Sequence, residues 1–186
     1  MDEFGYLSVL IAIILGLAIT QILLGYRGLL HAREHVRLYW PSLVWSGLVI
    51  IMAVQSWWAM FGLRSLTGWT FLQFSVVLMQ TILVYMLSAL VLPDFGSKAV
   101  DLRKTYFEHF RWFYSLLAGV LVVSLCKDLV IGGTLPHGLN LAFHLCFIVL
   151  SLAMAAIRNE TWHKANTVFS AFLLLVYIAV LFARLQ

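Results

Sequence analysis

Six long apolar stretches divide the chain from end to end, and each is close to the length of one bilayer crossing. They fall at Tyr6–Leu30, Trp40–Leu63, Thr70–Leu92, Trp112–Ile131, Gly138–Ile157 and Ala165–Leu185. A hydrocarbon core of roughly 30 Å needs about 20 apolar residues per helical crossing. The predicted fold is therefore an all-α integral membrane protein, a single domain over residues 1–186 built as a bundle of six transmembrane helices with short loops. Composition points the same way, because 63% of the residues are hydrophobic and only 11% are charged. A soluble domain carries about 25% charged residues, so this chain lacks the charge to cover a surface facing water. Disordered chains and extracellular disulfide scaffolds are excluded with it. No length is left for a soluble catalytic domain, so any chemistry must sit in the helices or short loops.

The breaks carry stop signals of their own. Pro41 stands just inside the start of the second stretch, where a missing N–H costs nothing. Pro93-Asp94-Phe95-Gly96 ends the third, and Gly132-Gly133-Thr134-Leu135-Pro136 reads as a tight turn between the fourth and fifth. The first stretch follows Met1-Asp2-Glu3 rather than a basic region and is too long for a signal-peptide core, so it is expected to remain as a helix. Cys126 and Cys146 lie inside apolar stretches and read as small packing residues.

Lysine and arginine are distributed unevenly. Arg27, Arg33, Arg37, Lys98, Arg103, Lys104, Arg111, Arg158 and Lys164 flank the first, third and fifth loops, whereas only Arg64 and Arg184 lie on the other side. The positive-inside rule then places loops 1, 3 and 5 in the cytoplasm and both termini outward, in a bacterial-type inner membrane. Basic residues that flank apolar segments in this way orient a membrane protein, and no nucleic-acid partner is implied. Trp57, Trp58 and Trp69 mark the outer boundary, and Trp40, Trp112 and Trp162 the inner one, as two aromatic belts. The mixed segment Ser97–Lys104 reads as a short cytoplasmic interfacial helix. Glu34-His35-Val36-Arg37 and Glu108-His109-Phe110-Arg111 are each followed by large apolar residues, and each is expected to open a helix running outward. Either duplication or the shared chemistry of inward-facing helix starts would produce this echo.

Function must be sought among the few polar residues in the apolar stretches. His137, Asn140 and His144 are spaced to share one helix face, with Ser151 continuing it, and Gln73 and Gln80 share another. Gln55 precedes the tryptophan pair, and Ser124, Lys127 and Asp128 lie near the end of the fourth helix. Amides and ionisable groups in hydrocarbon turn toward the bundle interior or water. The leading expectation is an outward-opening polar cavity that binds or passes a small polar solute or ion, lined by His144, Asn140, His137, Gln80, Gln73, Gln55 and Asp128. The alternative use of the same groups is interhelical hydrogen bonding in an accessory or assembly subunit. Ala12, Gly16 and Thr20 form a small-residue stripe on the first helix, suited to an internal seam, a homo-oligomer or a larger membrane complex.

A third reading is a small metal-dependent membrane enzyme. His31-Ala32-Arg33-Glu34-His35 fits H-x-x-E-H, and Glu160 with His163 has the spacing found in di-iron bundles. Peptidases of the first type need a soluble chamber that this chain cannot supply. Of the six histidines only His144 is clearly intramembrane, which argues against a haem bundle. No phosphate loop, G-x-S-x-G or C-x-x-C occurs, and no cofactor is implied.

Overall fold

A computed structural model describes residues 3–95 and 99–181, with the side chain of Leu181 excepted. The residues Met1, Asp2, Gly96, Ser97, Lys98, Arg184 and Leu185 invoked above lie outside that range. Six helices make up the described fold: α1 (Glu3–His31), α2 (Trp40–Met60), α3 (Phe71–Val91), α4 (Leu102–Gly132), α5 (Leu139–Ala156) and α6 (Glu160–Leu181). All six are long and apolar enough to cross a membrane. A 3₁₀ turn, Phe61–Leu63, extends α2.

Local chemistry explains the helix ends. Pro41 occupies the first turn of α2. At α3, the Thr70 hydroxyl accepts from the Gln73 backbone N–H, and the Gln73 side-chain oxygen accepts from the Thr70 N–H, a reciprocal capping box. Asp101 caps α4 by accepting from the N–H groups of Arg103 and Lys104 at 2.9 and 3.1 Å. The helix stops at Gly133, whose φ of +70° is a left-handed conformation that glycine adopts without steric cost. Asn159 caps α6 through the N–H groups of Thr161 and Trp162.

Asp101 also decides the third loop. Of the segment expected to form a separate interfacial helix, the described residues 99–104 instead supply strand β2 (Val100–Asp101) and the start of α4, which begins at Leu102 rather than near Trp112. Strand β2 pairs in parallel with β1 (Val36–Arg37), with Val36 opposite Val100 and Arg37 opposite Asp101. The Arg37 guanidinium lies 3.7 Å from the Asp101 carboxylate. The two Glu-His-x-Arg motifs are consequently not equivalent. Glu34 and His35 belong to a 3₁₀ turn before α2, whereas Glu108 and His109 lie well inside α4. Helix α6 likewise begins at Glu160, before the expected Ala165.

Helices α2, α3, α4, α5 and α6 pack in that order as a closed ring, with α1 seated in the groove between α2 and α3. Only one stripe of α1 is buried, namely Ile11, Leu15, Ala18 and Ile22. Ala12, Gly16 and Thr20 face outward, so of the uses open to this stripe an internal seam is not the one the fold adopts. A Cβ on Gly16 would meet nothing within 4 Å. The close approach occurs lower on α1, where a Cβ on Gly25 or Gly28 would lie 2.9 Å from Leu92 or Phe95 respectively.

The bundle is apolar outside and partly polar inside. Leu30, Phe71, Trp112 and Phe172 are largely exposed, whereas Ser46, Thr81, His144, His163, Asn166 and Thr167 are buried. Water would favour the opposite arrangement; a hydrocarbon surround favours this one.

Candidate functional site

The ring encloses a cavity of about 340 Å³ in the half of the bundle that carries the 62–70 and 133–138 connections. Gln55, Gln80, Asp128, Asn140 and His144 line it, five of the seven residues expected to do so, together with Ser124 and Lys127. The other two lie elsewhere. Gln73 is held in the capping box of α3. His137 is exposed and precedes α5, because Gly138 at φ +61° breaks the helical spacing between His137 and Asn140. Ser151 is buried away from the cavity, its hydroxyl donating to the Phe147 carbonyl at 2.7 Å.

His144 is the anchor of the polar wall. Its Nδ1 lies 2.9 Å from the Asn140 carbonyl, and its Nε2 lies 3.1 Å from the Ser124 hydroxyl on α4. A carbonyl only accepts, so Nδ1 carries the proton, and in the neutral ring Nε2 accepts from Ser124. Tyr177 on α6 donates to the Asn140 side-chain oxygen at 3.2 Å, so three helices are cross-linked at this level. Lys127 and Asp128 pair with each other at 3.8 Å. The hydroxyls of Ser56 and Thr81 return to carbonyls of their own helices, at 2.8 and 2.9 Å.

Gln55 and Gln80 behave differently. Neither has a hydrogen-bond partner among the described residues, and neither amide is sealed in the core. Two carboxamides on neighbouring helices α2 and α3 are thus presented to the same cavity with donors and acceptors free. Below them the lining turns mainly apolar, with Leu48, Val84, Leu117, Phe147 and Trp45, interrupted by Ser170.

Trp45 is the tryptophan that belongs to neither belt. It is buried, packs edge-on against Phe113 and Tyr114 with centroids 5.1 and 5.6 Å away, and donates to Thr167 at 3.1 Å. Beneath it lies a polar network absent from the expectations above. His163 Nε2 is 2.8 Å from the Ile157 carbonyl and must donate, which leaves Nδ1 to accept from the Tyr106 hydroxyl at 2.9 Å. Tyr106 in turn accepts from Tyr114 at 2.9 Å, and Tyr114 accepts from the Asn166 amide at 3.3 Å. A single direction of donation, Asn166 to Tyr114 to Tyr106 to His163 to Ile157, follows from the carbonyl at its end. Asn166 Oδ1 and the Tyr39 hydroxyl are buried nearby without partners among the described residues. Burial, reinforced by the Glu160 carboxylate, pushes the Tyr39 phenol up to about 12.

The sequence does contain a signal for this network. His163, Asn166, Thr167 and Ser170 follow the spacing i, i+3, i+4, i+7, and all four are buried on one face of α6. Starting that helix at Ala165 removed His163 from the stripe.

The metal reading loses its geometry here. Glu160 is held by Arg103 at 2.6 Å and Lys164 at 2.8 Å, and both ring nitrogens of His163 are engaged. His31 bonds the Arg27 carbonyl, while Glu34 and His35 are exposed. Among the described residues no group of three His, Cys, Asp or Glu side chains is placed to hold a metal ion. No known protein family matches the chain, and no characterised protein or solved structure resembles it significantly in sequence or fold.

Proposed function

We propose that the protein is a multi-pass inner-membrane protein that binds a small solute in the α2–α6 cavity, entering from the outer side. The observation that carries this reading is the pair of unpartnered carboxamides, Gln55 and Gln80, facing one cavity of about 340 Å³. Amides serving as interhelical glue would be bonded to one another or to backbone. Polar groups left open in a membrane interior are matched by water or by a ligand. The volume lies in the range of small-molecule sites, roughly 300–1,000 Å³. Orientation rests on the Lys and Arg asymmetry, which puts the cavity half outward and loops 1, 3 and 5 in the cytoplasm. The packed layer of Trp45, Phe113 and Tyr114 separates the cavity from the other side, which favours binding over an open conduit.

Cysteine scanning tests this directly. In a background with Cys126 and Cys146 replaced by serine, Gln80→Cys should react with a small membrane-impermeant thiol reagent applied from outside. It should be silent to reagent applied from inside. A Gln80→Cys thiol inert from both sides in folded protein would remove the solvent-connected cavity and the proposal with it. The accessory-subunit reading is favoured by a different observation, the outward-facing Ala12-Gly16-Thr20 stripe of α1. Stoichiometric co-purification of a second membrane protein, lost on Gly16→Leu, would support it.

A further inference from the structure

The charge arrangement of the cavity restricts what it can hold. Among the described residues, Lys127 and Asp128 bring the cavity's only formal charges, and they pair with each other at 3.8 Å, so the wall carries no net charge. Both His144 nitrogens are engaged, which leaves the imidazole no free edge for an incoming ion. An ion entering this wall would give up its hydration for no opposing monopole, a large cost in a low-dielectric interior. The open groups are instead neutral amides at Gln55 and Gln80, each able to donate and to accept. The opposite part of the cavity, at Leu48, Val84 and Trp45, is apolar apart from the Ser170 hydroxyl, and a fully polar solute would waste most of that contact.

We propose that the cavity takes an uncharged amphipathic molecule, a compact apolar body carrying one carboxamide-like edge that both donates and accepts hydrogen bonds. The inference rests on the binding reading above and narrows it to a ligand class. The amide edge meets Gln55 and Gln80, and the body lies against Trp45 and its aliphatic neighbours.

Four probes separate the alternatives: benzamide, benzoate, benzylammonium and acetamide. Each is titrated by ligand-observed NMR against the full chain in lipid nanodiscs, with empty nanodiscs as the partition control. Benzamide should bind saturably, with a Kd at least about tenfold below each of the other three. Gln55→Leu/Gln80→Leu should weaken it by about tenfold or more, the effect of losing two hydrogen bonds. Gln73→Leu, outside the cavity, should leave it unchanged. If benzoate or benzylammonium binds tightest, or acetamide matches benzamide, the ligand class is overturned while solute binding stands. If no probe binds saturably to folded protein, the class and the binding reading fall together. The ranking of the four probes in the unaltered protein decides the matter even if the double variant does not fold.

Discussion

Replacing Tyr106 by phenylalanine isolates the buried network beneath the cavity, because it removes one oxygen and keeps the ring. The ring packs against Tyr39, Phe107 and His163 at centroid distances of 5.2–5.5 Å, and all three contacts survive the change. Two hydrogen bonds are lost, the donation to His163 Nδ1 and the acceptance from Tyr114, each 2.9 Å long. A buried group left without its partner costs about 1–3 kcal/mol, although measured values in membrane bundles run lower, at about 0.6–1.7. The His163 acceptor has Tyr106 as its one hydrogen-bond donor among the described residues. Tyr114, by contrast, lies 3.3 Å from the Asn166 amide, whose oxygen is buried without a partner among the described residues. Rotating that amide by half a turn lets Asn166 accept from Tyr114 and recovers its share. Tyr106→Phe should therefore cost about 1–2 kcal/mol rather than the sum of two orphaned groups. In the Asn166→Leu background that refuge is gone, and the pair should cost about 1 kcal/mol more than the two single changes added together. Reversible unfolding in mixed SDS micelles, followed by tryptophan fluorescence, measures all three variants. A Tyr106→Phe cost below about 0.5 kcal/mol, or strict additivity with Asn166→Leu, would refute the directional network.

Packing and capping set three further expectations. Gly28→Ala should destabilise by about 1–3 kcal/mol, because its Cβ would press on the Phe95 ring at 2.9 Å, whereas Gly16→Ala, which meets nothing, should be neutral or stabilising by less than about 1 kcal/mol. Ser124→Ala should cost about 0.5–1.5 kcal/mol by depriving His144 Nε2 of its donor at 3.1 Å, with Ser124→Thr recovering part of the loss in the same assay. Gly133→Ala should cost about 1–2 kcal/mol, since its φ of +70° is strained for any residue with a Cβ, and Gly132→Ala should cost less in the same unfolding assay. An equal effect at the two glycines would contradict the assigned helix stop.

The glutamines show how far linear spacing can be trusted. Gln73 and Gln80 are seven residues apart and do share a helix face, yet only Gln80 reaches the cavity. Gln73 sits in the first turn, where unpaired backbone N–H groups claim its side chain before any neighbouring helix can. His137 is lost for a different reason, because it precedes Gly138 and a helix periodicity has no meaning before the helix starts at Leu139. Asn140, in the first turn of α5 but with its side-chain oxygen bonded to Tyr177, and His144, one turn further in, keep their partners and their place. The misplaced start of α6 is the converse case. Counting from Ala165 hid a polar face that begins with His163, because the charged residues before it looked like loop when they are the capped first turn.

Linear patterning alone reveals the class of protein and where its informative residues stand. Six stretches of apolar side chains leave a hydrocarbon surround as the one solvent that matches them, and hydrophobicity is a property each residue carries wherever it is placed. The exceptions to that composition, Gln55, Gln80, Asp128, Asn140 and His144, were legible for the same reason. What those exceptions do depends on how the helices pack. Whether an amide pairs with a neighbour or faces a void depends on helix order and on rotation by a fraction of a turn, and both are set by packing between distant segments. The closed ring of α2 to α6 turns Gln55 and Gln80 toward a shared cavity, and it seals Tyr106, Tyr114, Asn166 and His163 into one hydrogen-bonded chain.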